Sequence, residues 1–212
     1  SHTLAALWSR APFVVSRRVA FPVKQGWLSR WKYRRAAGFL AVSECVKAGL
    51  LAVGVDAERI VVVPDSTIIP PETSLRDGAM VAVDSDDPGK GGALLRGSGL
   101  PILFSKNLPT DLAHARLFLY VSESEGLGSA ALLAMAYGVP VVASRVGGLP
   151  EIVIHEETGL LIDNSLQSLR AAVQRLESDA ALAARLAANG RAMVEQRFTM
   201  KHMIDGTLGA YR

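Results

Sequence analysis

Apolar residues in this chain fall into short unbroken blocks, separated by polar or glycine-containing stretches. Residues 38–42, 60–63, 79–83, 102–104, 117–121 and 139–143 are each of strand length, and several are rich in β-branched side chains. Glycine, proline or polar residues close them, as expected of strands buried in a parallel sheet. A further block, residues 13–15, follows Pro12 and reads the same way. Helical patterns lie between the blocks. Ser43 is placed to cap a helix running to about residue 53, with Gly54 as its left-handed stop. Residues 129–137 are dominated by Ala, Leu and Met, the composition of a buried helix, and Gly138 ends them. Further on, Leu166, Leu169, Val173 and Leu176 recur at helical spacing. Asp179 can cap a second amphipathic helix carrying Leu182 and Leu186, which Asn189-Gly190 is expected to kink or interrupt.

Strand and helix alternate, so the predicted fold class is α/β: Rossmann-like parallel sheets with flanking helices. Pro70-Pro71-Glu72 reads as a hinge, because a Pro-Pro pair removes two donors and stiffens the chain. The domain boundary is placed there, giving units 1–71 and 72–212. Two glycine loops follow strands of the second unit. Glu125-Gly126-Leu127-Gly128 comes after residues 117–121, and Gly147-Gly148 after residues 139–143. Each loop is expected to open a helix. Ligands bind at such ends of an open parallel sheet, where helix N–H groups converge on anions and no Cβ blocks the approach.

The 212 residues suffice for one large domain or two small ones, and half of them are apolar. No apolar run approaches the roughly 18–20 residues of a membrane span. Cys45 is the only cysteine, which excludes an internal disulfide and agrees with a reducing, cytoplasmic setting. The N-terminus, Ser1-His2-Thr3-Leu4, has neither an initiator Met nor the pattern of a signal peptide, and reads as a processed end or a fragment starting within a domain. The net charge of +3 conceals an asymmetry. Residues 1–43 carry Arg10, Arg17, Arg18, Lys24, Arg30, Lys32, Arg34 and Arg35 and no acidic residue, whereas the remainder is net acidic. Trp8, Phe13, Phe21, Trp27, Trp31 and Tyr33 interleave with these cations. Three readings fit: a solvated basic face with aromatics in the core, a membrane-surface or lipid-linked acceptor site, and nucleic-acid binding by stacking and phosphate contact. No recognition motif supports the last, and no nucleic-acid partner is expected.

Four sequence blocks carry a family resemblance. They are Ser122-Glu123-Ser124-Glu125-Gly126-Leu127-Gly128, then Ala134-Met135-Ala136-Tyr137-Gly138-Val139-Pro140-Val141-Val142-Ala143, then Gly147-Gly148-Leu149-Pro150-Glu151, then Thr158-Gly159-Leu160-Leu161. In this order and spacing they resemble the nucleotide-sugar-dependent glycosyltransferases of the GT-B fold, family 4. Asp56-Ala57-Glu58-Arg59-Ile60-Val61-Val62-Val63-Pro64 resembles the segment that ends the family's first domain, although the turn after it, Asp65-Ser66-Thr67-Ile68-Ile69, is altered. Residues 198–211 resemble the family's terminal helix. The resemblance implies a GT-B C-terminal domain plus a remnant of the N-terminal one. Only about seventy residues precede the hinge, fewer than the ~100–150 of a full Rossmann-like domain. The short run from Lys90 to Glu125 implies that the second domain lacks at least one βα unit.

The implied activity is transfer of a sugar from a nucleotide-sugar to a saccharide or lipid-linked acceptor with retained anomeric configuration. The donor is a substrate, and neither cofactor nor metal is expected. By resemblance Lys90-Gly91 meets the donor diphosphate, and Glu125 binds hydroxyls of the donor sugar; Lys90 and Glu125 are the catalytic candidates. A compact cation suits phosphate, and convergent N–H groups stabilise a leaving diphosphate. Gly91, Gly126, Leu127, Gly128, Gly147 and Gly148 are the donor-binding candidates. Arg17 and Arg18, at the end of the first apolar block, are assigned to the acceptor side. Two positions depart from the family. Leu133 stands where a second Glu usually faces the ribose, and Ser85 stands where an arginine usually precedes the lysine by five residues. Leucine cannot accept from vicinal hydroxyls. Asp84, Asp86 and Asp87 crowd the lysine loop, where capping and solvation compete with a magnesium site. Glu151 is expected to cap the helix after Gly148. Ser122 and Ser124 read as turn residues, and His114 and His155 as surface histidines. Three functions remain open: a glycosyltransferase or its donor-binding portion, a degenerate GT-B module that only binds or docks, and another GT-B reaction such as that of a nucleotide-sugar epimerase.

Overall fold

The computed structural model describes residues 11–21, 26–71 and 77–211. Trp8, Arg10, Lys24 and Glu72 lie outside the described residues, as does the side chain of Arg30.

Among the described residues two parallel sheets form. The first has three strands in the order β1-β2-β3: β1 is Val14–Arg17, β2 is Gly38–Ala41 and β3 is Ile60–Val62. The basic helix α1, Trp27–Arg35, joins β1 to β2, and α2, Glu44–Leu51, joins β2 to β3. Ser43 caps α2, its hydroxyl accepting from Val46 N, and Gly54 takes a left-handed φ of 83° after it.

The second sheet has five strands in the order β5-β4-β6-β7-β8. These are β4 Met80–Val83, β5 Ile102–Ser105, β6 Leu117–Tyr120, β7 Val141–Ser144 and β8 Leu160–Ile162. All four residues of both β6 and β7 are buried. That explains their unbroken apolar sequences, since helices cover both faces of the sheet. The connecting helices are α3 Gly92–Gly97, α4 Leu108–Leu112 and α5 Ser129–Ala136, followed by α6 Leu166–Ser178, α7 Ala180–Arg197 and α8 Met200–Ala210. The sheets are joined through residues 63–79, and the 71/72 division falls within that connection.

Helix α5 is apolar all round because it is enclosed: Ala131, Leu132, Ala134, Met135 and Ala136 are fully buried. It packs against α7, which runs unbroken through Asn189-Gly190. The kink expected there does not occur. Gly190 is instead a contact point, where a Cβ would lie 3.1 Å from the Thr158 carbonyl and 3.3 Å from Met135 Cε. A second expectation is also corrected. After Gly147-Gly148 the chain makes only a 3₁₀ turn, Leu149–Glu151, and no helix begins.

One continuous core joins the sheets. Phe39, Val42, Val46 and Leu50 of the first share a buried cluster with Phe118, Leu127, Leu132, Leu149 and Ile152 of the second. A separate cluster on the far face of the second sheet includes Met80, Leu119, Leu169, Val173 and Leu186. Phe118 is fully buried and stacks on Tyr120 with ring centroids 5.8 Å apart. Phe118→Ala should lower unfolding free energy by about 3–5 kcal/mol. Because the core is shared, tryptophan fluorescence, which reports only on residues before position 36, and far-UV circular dichroism should lose signal in one urea transition. Two separated transitions would contradict a shared core.

Candidate functional site at the switch point of the second sheet

Strand β4 has β5 on one side and β6 on the other, so the loops leaving β4 and β6 diverge to opposite faces. A crevice opens where strand order reverses in this way. The β4 loop carries Lys90 and the β6 loop carries Glu125. Their side chains meet there in an ion pair between Lys90 Nζ and Glu125 Oε1. The tie is built into the backbone. The Gly89 carbonyl accepts from Glu123 N at 2.8 Å and from the Ser122 hydroxyl at 3.2 Å, so the two loops are stitched immediately beside the pair. Asp87 shapes the lysine turn by accepting from Gly89 N at 2.9 Å. Gly91 follows with a φ of 66° and packs where any Cβ would strike Val121.

Glu125 is 9% exposed. A carboxylate so deeply placed needs compensating donors. Besides Lys90 it accepts from the Tyr120 hydroxyl at 2.8 Å. Burial, then the Glu125 charge, then this hydrogen bond push the Tyr120 phenol far above its ordinary value. Tyr120 therefore remains the donor at any working pH.

The glycines act differently from expectation. Cβ atoms at Gly147 and Gly148 would strike the backbone of Glu125 and Gly126, and one at Gly126 would strike the Arg18 carbonyl. These three absences of a side chain let backbones pack on one another, and the Gly148 N–H donates to the Glu125 carbonyl at 2.9 Å. Gly128 is the exception that faces a helix start. It takes a φ of 107° ahead of α5, and among the described residues no side chain caps that helix. The first-turn N–H groups of α5 are thus left for an anion. Leu127 is buried in the shared core.

The first sheet reaches the same loops. Ser43 Oγ donates to the Gly126 carbonyl at 2.6 Å. Arg18 pairs with Asp65 at 2.5 Å, and Asp65 accepts from Ser129 Oγ, at the start of α5, at 2.9 Å. Arg17 is the last residue of β1 and turns away, donating to the Tyr33 hydroxyl at 3.4 Å and to the Phe21 carbonyl. The two arginines therefore do not converge: Arg18 lies at the glycine loop and Arg17 does not. Glu151 is corrected too. Its carboxylate accepts from Glu44 N at 2.9 Å and Cys45 N at 2.8 Å, so it caps α2 of the opposite sheet.

Other candidates separate from the site. His114 is exposed, and its carbonyl accepts from Gly78 N ahead of β4, at the other end of the sheet. His155 Nδ1 accepts from Leu161 N at 3.0 Å. Asp84 is held by Arg96 at 3.0 Å and Lys106 at 3.7 Å, and with Ser85 and Asp86 lines a cavity of about 350 Å³. Among the described residues no three His, Cys, Asp or Glu side chains group as metal ligands. Leu133 is half-buried against the core. Sequence reasoning missed Tyr120, Asp65 and the Ser144–Asn164 pair. Ser144 Oγ accepts from Ser122 N at 3.0 Å and donates to Asn164 Oδ1 at 2.5 Å, while Asn164 Nδ2 donates to the Ser122 carbonyl at 2.9 Å. The one available signal was polar residues ending apolar strands.

The crevice brings together a lysine, a buried glutamate and the start of α5, and solved structures share the fold that holds them. The Anabaena protein HepE, crystallised with UDP and glucose, superposes with a TM-score of 0.83 at 19% identity over 98% of this chain and 74% of that one. A glycosyltransferase from Rickettsia africae gives 0.83 at 16% identity over 99% and 72%. The chain carries the GT-B glycosyltransferase fold. Residues 101–193 match the family described as Glycosyl transferases group 1. D-inositol 3-phosphate glycosyltransferase of Rhodococcus opacus is 42% identical over 92 residues, which are 43% of this chain and 20% of that protein. N-acetyl-alpha-D-glucosaminyl L-malate synthase of Bacillus anthracis is 46% identical over 57 residues, 27% of this chain and 15% of its own length. The chain therefore matches only a fifth or less of the length of these two curated relatives.

Cys45 reports on the contact between sheets. Burial, then the Glu151 charge, raise its thiol pKa, so at neutral pH the thiol is protonated and alkylation should be slow. Glu151→Gln removes the charge and keeps one of the two oxygens that cap α2. Iodoacetamide labelling at pH 8 should speed up several-fold in this variant. An unchanged rate would show that Glu151 does not face Cys45.

Proposed function

We propose that this chain is the donor-binding portion of a retaining glycosyltransferase that takes a nucleotide-sugar and passes its sugar to a saccharide or lipid-linked acceptor. The observation that carries the proposal is the meeting of Lys90 and Glu125 at the switch point, beside the uncapped start of α5. The two groups match the two ends of such a donor. In the resting state Lys90 neutralises Glu125; with donor present the ammonium turns to the diphosphate, where the charge of the leaving group grows as the glycosidic bond breaks. The first-turn N–H groups of α5 add to that stabilisation. Glu125, freed on one side, accepts from sugar hydroxyls and orients the ring. The glycosyltransferase name of the Rhodococcus relative and the UDP and glucose bound to Anabaena HepE support a nucleotide-sugar as the ligand.

The acceptor belongs on the first-sheet side, where Arg18 meets the Gly126 loop. Synthesis of cell-envelope glycan or of a lipid-linked saccharide is the role we assign, at the cytoplasmic face of a membrane. Support comes from Phe21 and Trp27, which are 61% and 77% exposed on the same basic segment as Arg34 and Arg35. The contact we assign is peripheral; among the described residues no helix is long and apolar enough to cross a membrane. Leu133 and Ser85 favour a second reading, a GT-B module that docks without transfer.

Calorimetric titration with UDP-, GDP- and ADP-sugars separates the two. One of these donors should bind, and Glu125→Gln should weaken it about tenfold or more, the value of a hydrogen bond to a charged group. Absence of binding by every donor at millimolar concentration would remove the enzyme reading. Leu133→Glu should tighten binding several-fold if residue 133 faces the ribose; an unchanged affinity would place the ribose elsewhere.

A further inference from the structure

Glu125 presents its two oxygens unequally. Both side-chain hydrogen bonds, from Lys90 and from Tyr120, fall on Oε1. Oε2 takes no partner from the described residues, and no buried side-chain oxygen or nitrogen among them lacks one. Oε2 therefore keeps contact with solvent. The two donors on Oε1 also differ in mobility. Lys90 is a long side chain, 35% exposed, and is free to follow an anion. Tyr120 is fixed. It ends β6, is 8% exposed and stacks on Phe118 with an interplanar angle of 21°. The Tyr120 ring edge also lies 3.5 Å from the point where a Cβ of Gly128 would be, so the glycine loop closes over it.

We propose that Tyr120 is a positioning residue: it anchors Glu125 Oε1 once Lys90 has moved to phosphate, so that Oε2 stays aimed at a sugar hydroxyl, and it thereby lets the site tell a sugar nucleotide from the bare nucleotide. This rests on the donor-site reading above. The requirement is physical. The terminal torsion of a glutamate is broad and nearly two-fold, so a carboxylate that loses Lys90 and has no second donor rotates freely. A rotating acceptor forfeits directional hydrogen bonds. Nothing in this argument touches the phosphates, which Lys90 and the α5 N–H groups serve.

The test compares two probes, UDP-glucose and UDP, by calorimetry on the whole chain. Tyr120→Phe keeps the ring and its stack on Phe118 and removes only the hydroxyl; near-UV circular dichroism checks that the fold persists. UDP should bind the variant within twofold of the parent, while UDP-glucose should weaken about tenfold. Lys90→Ala supplies the contrast and should weaken both probes alike. Equal loss of both probes in Tyr120→Phe would reduce Tyr120 to a structural role and overturn the inference. So would an unchanged preference for UDP-glucose. If the unmutated chain binds UDP yet shows no preference for UDP-glucose, the inference falls while the nucleotide site stands. If it binds neither these probes nor GDP- or ADP-sugars, the donor-site reading falls first and takes the inference with it.

Discussion

A carboxylate that is nine-tenths removed from water can keep its charge only if the protein supplies donors in place of the solvent it has lost. Glu125 is in that position, and much of the surrounding architecture follows from the need. Lys90 must come to it from another strand, which requires the β4 and β6 loops to lie side by side. The Gly89 carbonyl, bonded to Glu123 and Ser122, enforces this. Tyr120 must end its strand with the hydroxyl turned inward, and its ring accordingly belongs to the core through Phe118. The backbone of Glu125 must hold still as well, and Gly148 N–H secures its carbonyl. Lys90 remains about one-third exposed. The cost of breaking the pair is correspondingly reduced, to about 1–3 kcal/mol, between that for exposed pairs and that for removing one partner of a buried pair. A contact of that size can be held at rest and exchanged for a diphosphate.

The first sheet matters to this site through close backbone approach rather than through a row of charged side chains. Gly126 sits under the Arg18 carbonyl and accepts, at its own carbonyl, from Ser43. Glu151 reaches across to cap α2, and Asp65 links Arg18 to the start of α5. These contacts, with the shared apolar core, make the glycine loops a junction between sheets. Asp65 also puts a negative charge close to the end of α5 left open for an anion. Arg18 offsets it in this structure.

The layered fold was legible in the sequence because its signals are local. Unbroken apolar blocks such as 117–121 admit few structures other than a buried strand, and the all-apolar run 129–137 few other than an enclosed helix. The residues Lys90 and Glu125 were also named from sequence, through the family resemblance, and the structure brings them together. What stayed hidden depends on long-range geometry. Glu151 lies in a turn that resembles a helix start, and nothing nearby in sequence reveals that its partners are residues 44 and 45. Gly190 has the local signature of a helix breaker, yet its missing side chain serves a contact with Thr158 and Met135. Tyr120 looked like one more apolar strand residue, because a hydroxyl at a strand end acquires meaning only when a carboxylate five residues later folds back on it.

The central claim is that a phosphate-bearing ligand rests in the crevice between the β4 and β6 loops. The most direct measurement is a crystal structure of the chain soaked with a sugar nucleotide, with difference density calculated before any ligand is placed. The account predicts diphosphate density within hydrogen-bond reach of Lys90 Nζ and the first turn of α5, with Lys90 withdrawn from Glu125. Ligand density at the opposite end of the sheet, for instance in the 680 Å³ groove between α7 and the starts of β6 and β7, lined by Arg116, Pro140 and Arg191, with the Lys90–Glu125 pair intact, would contradict it.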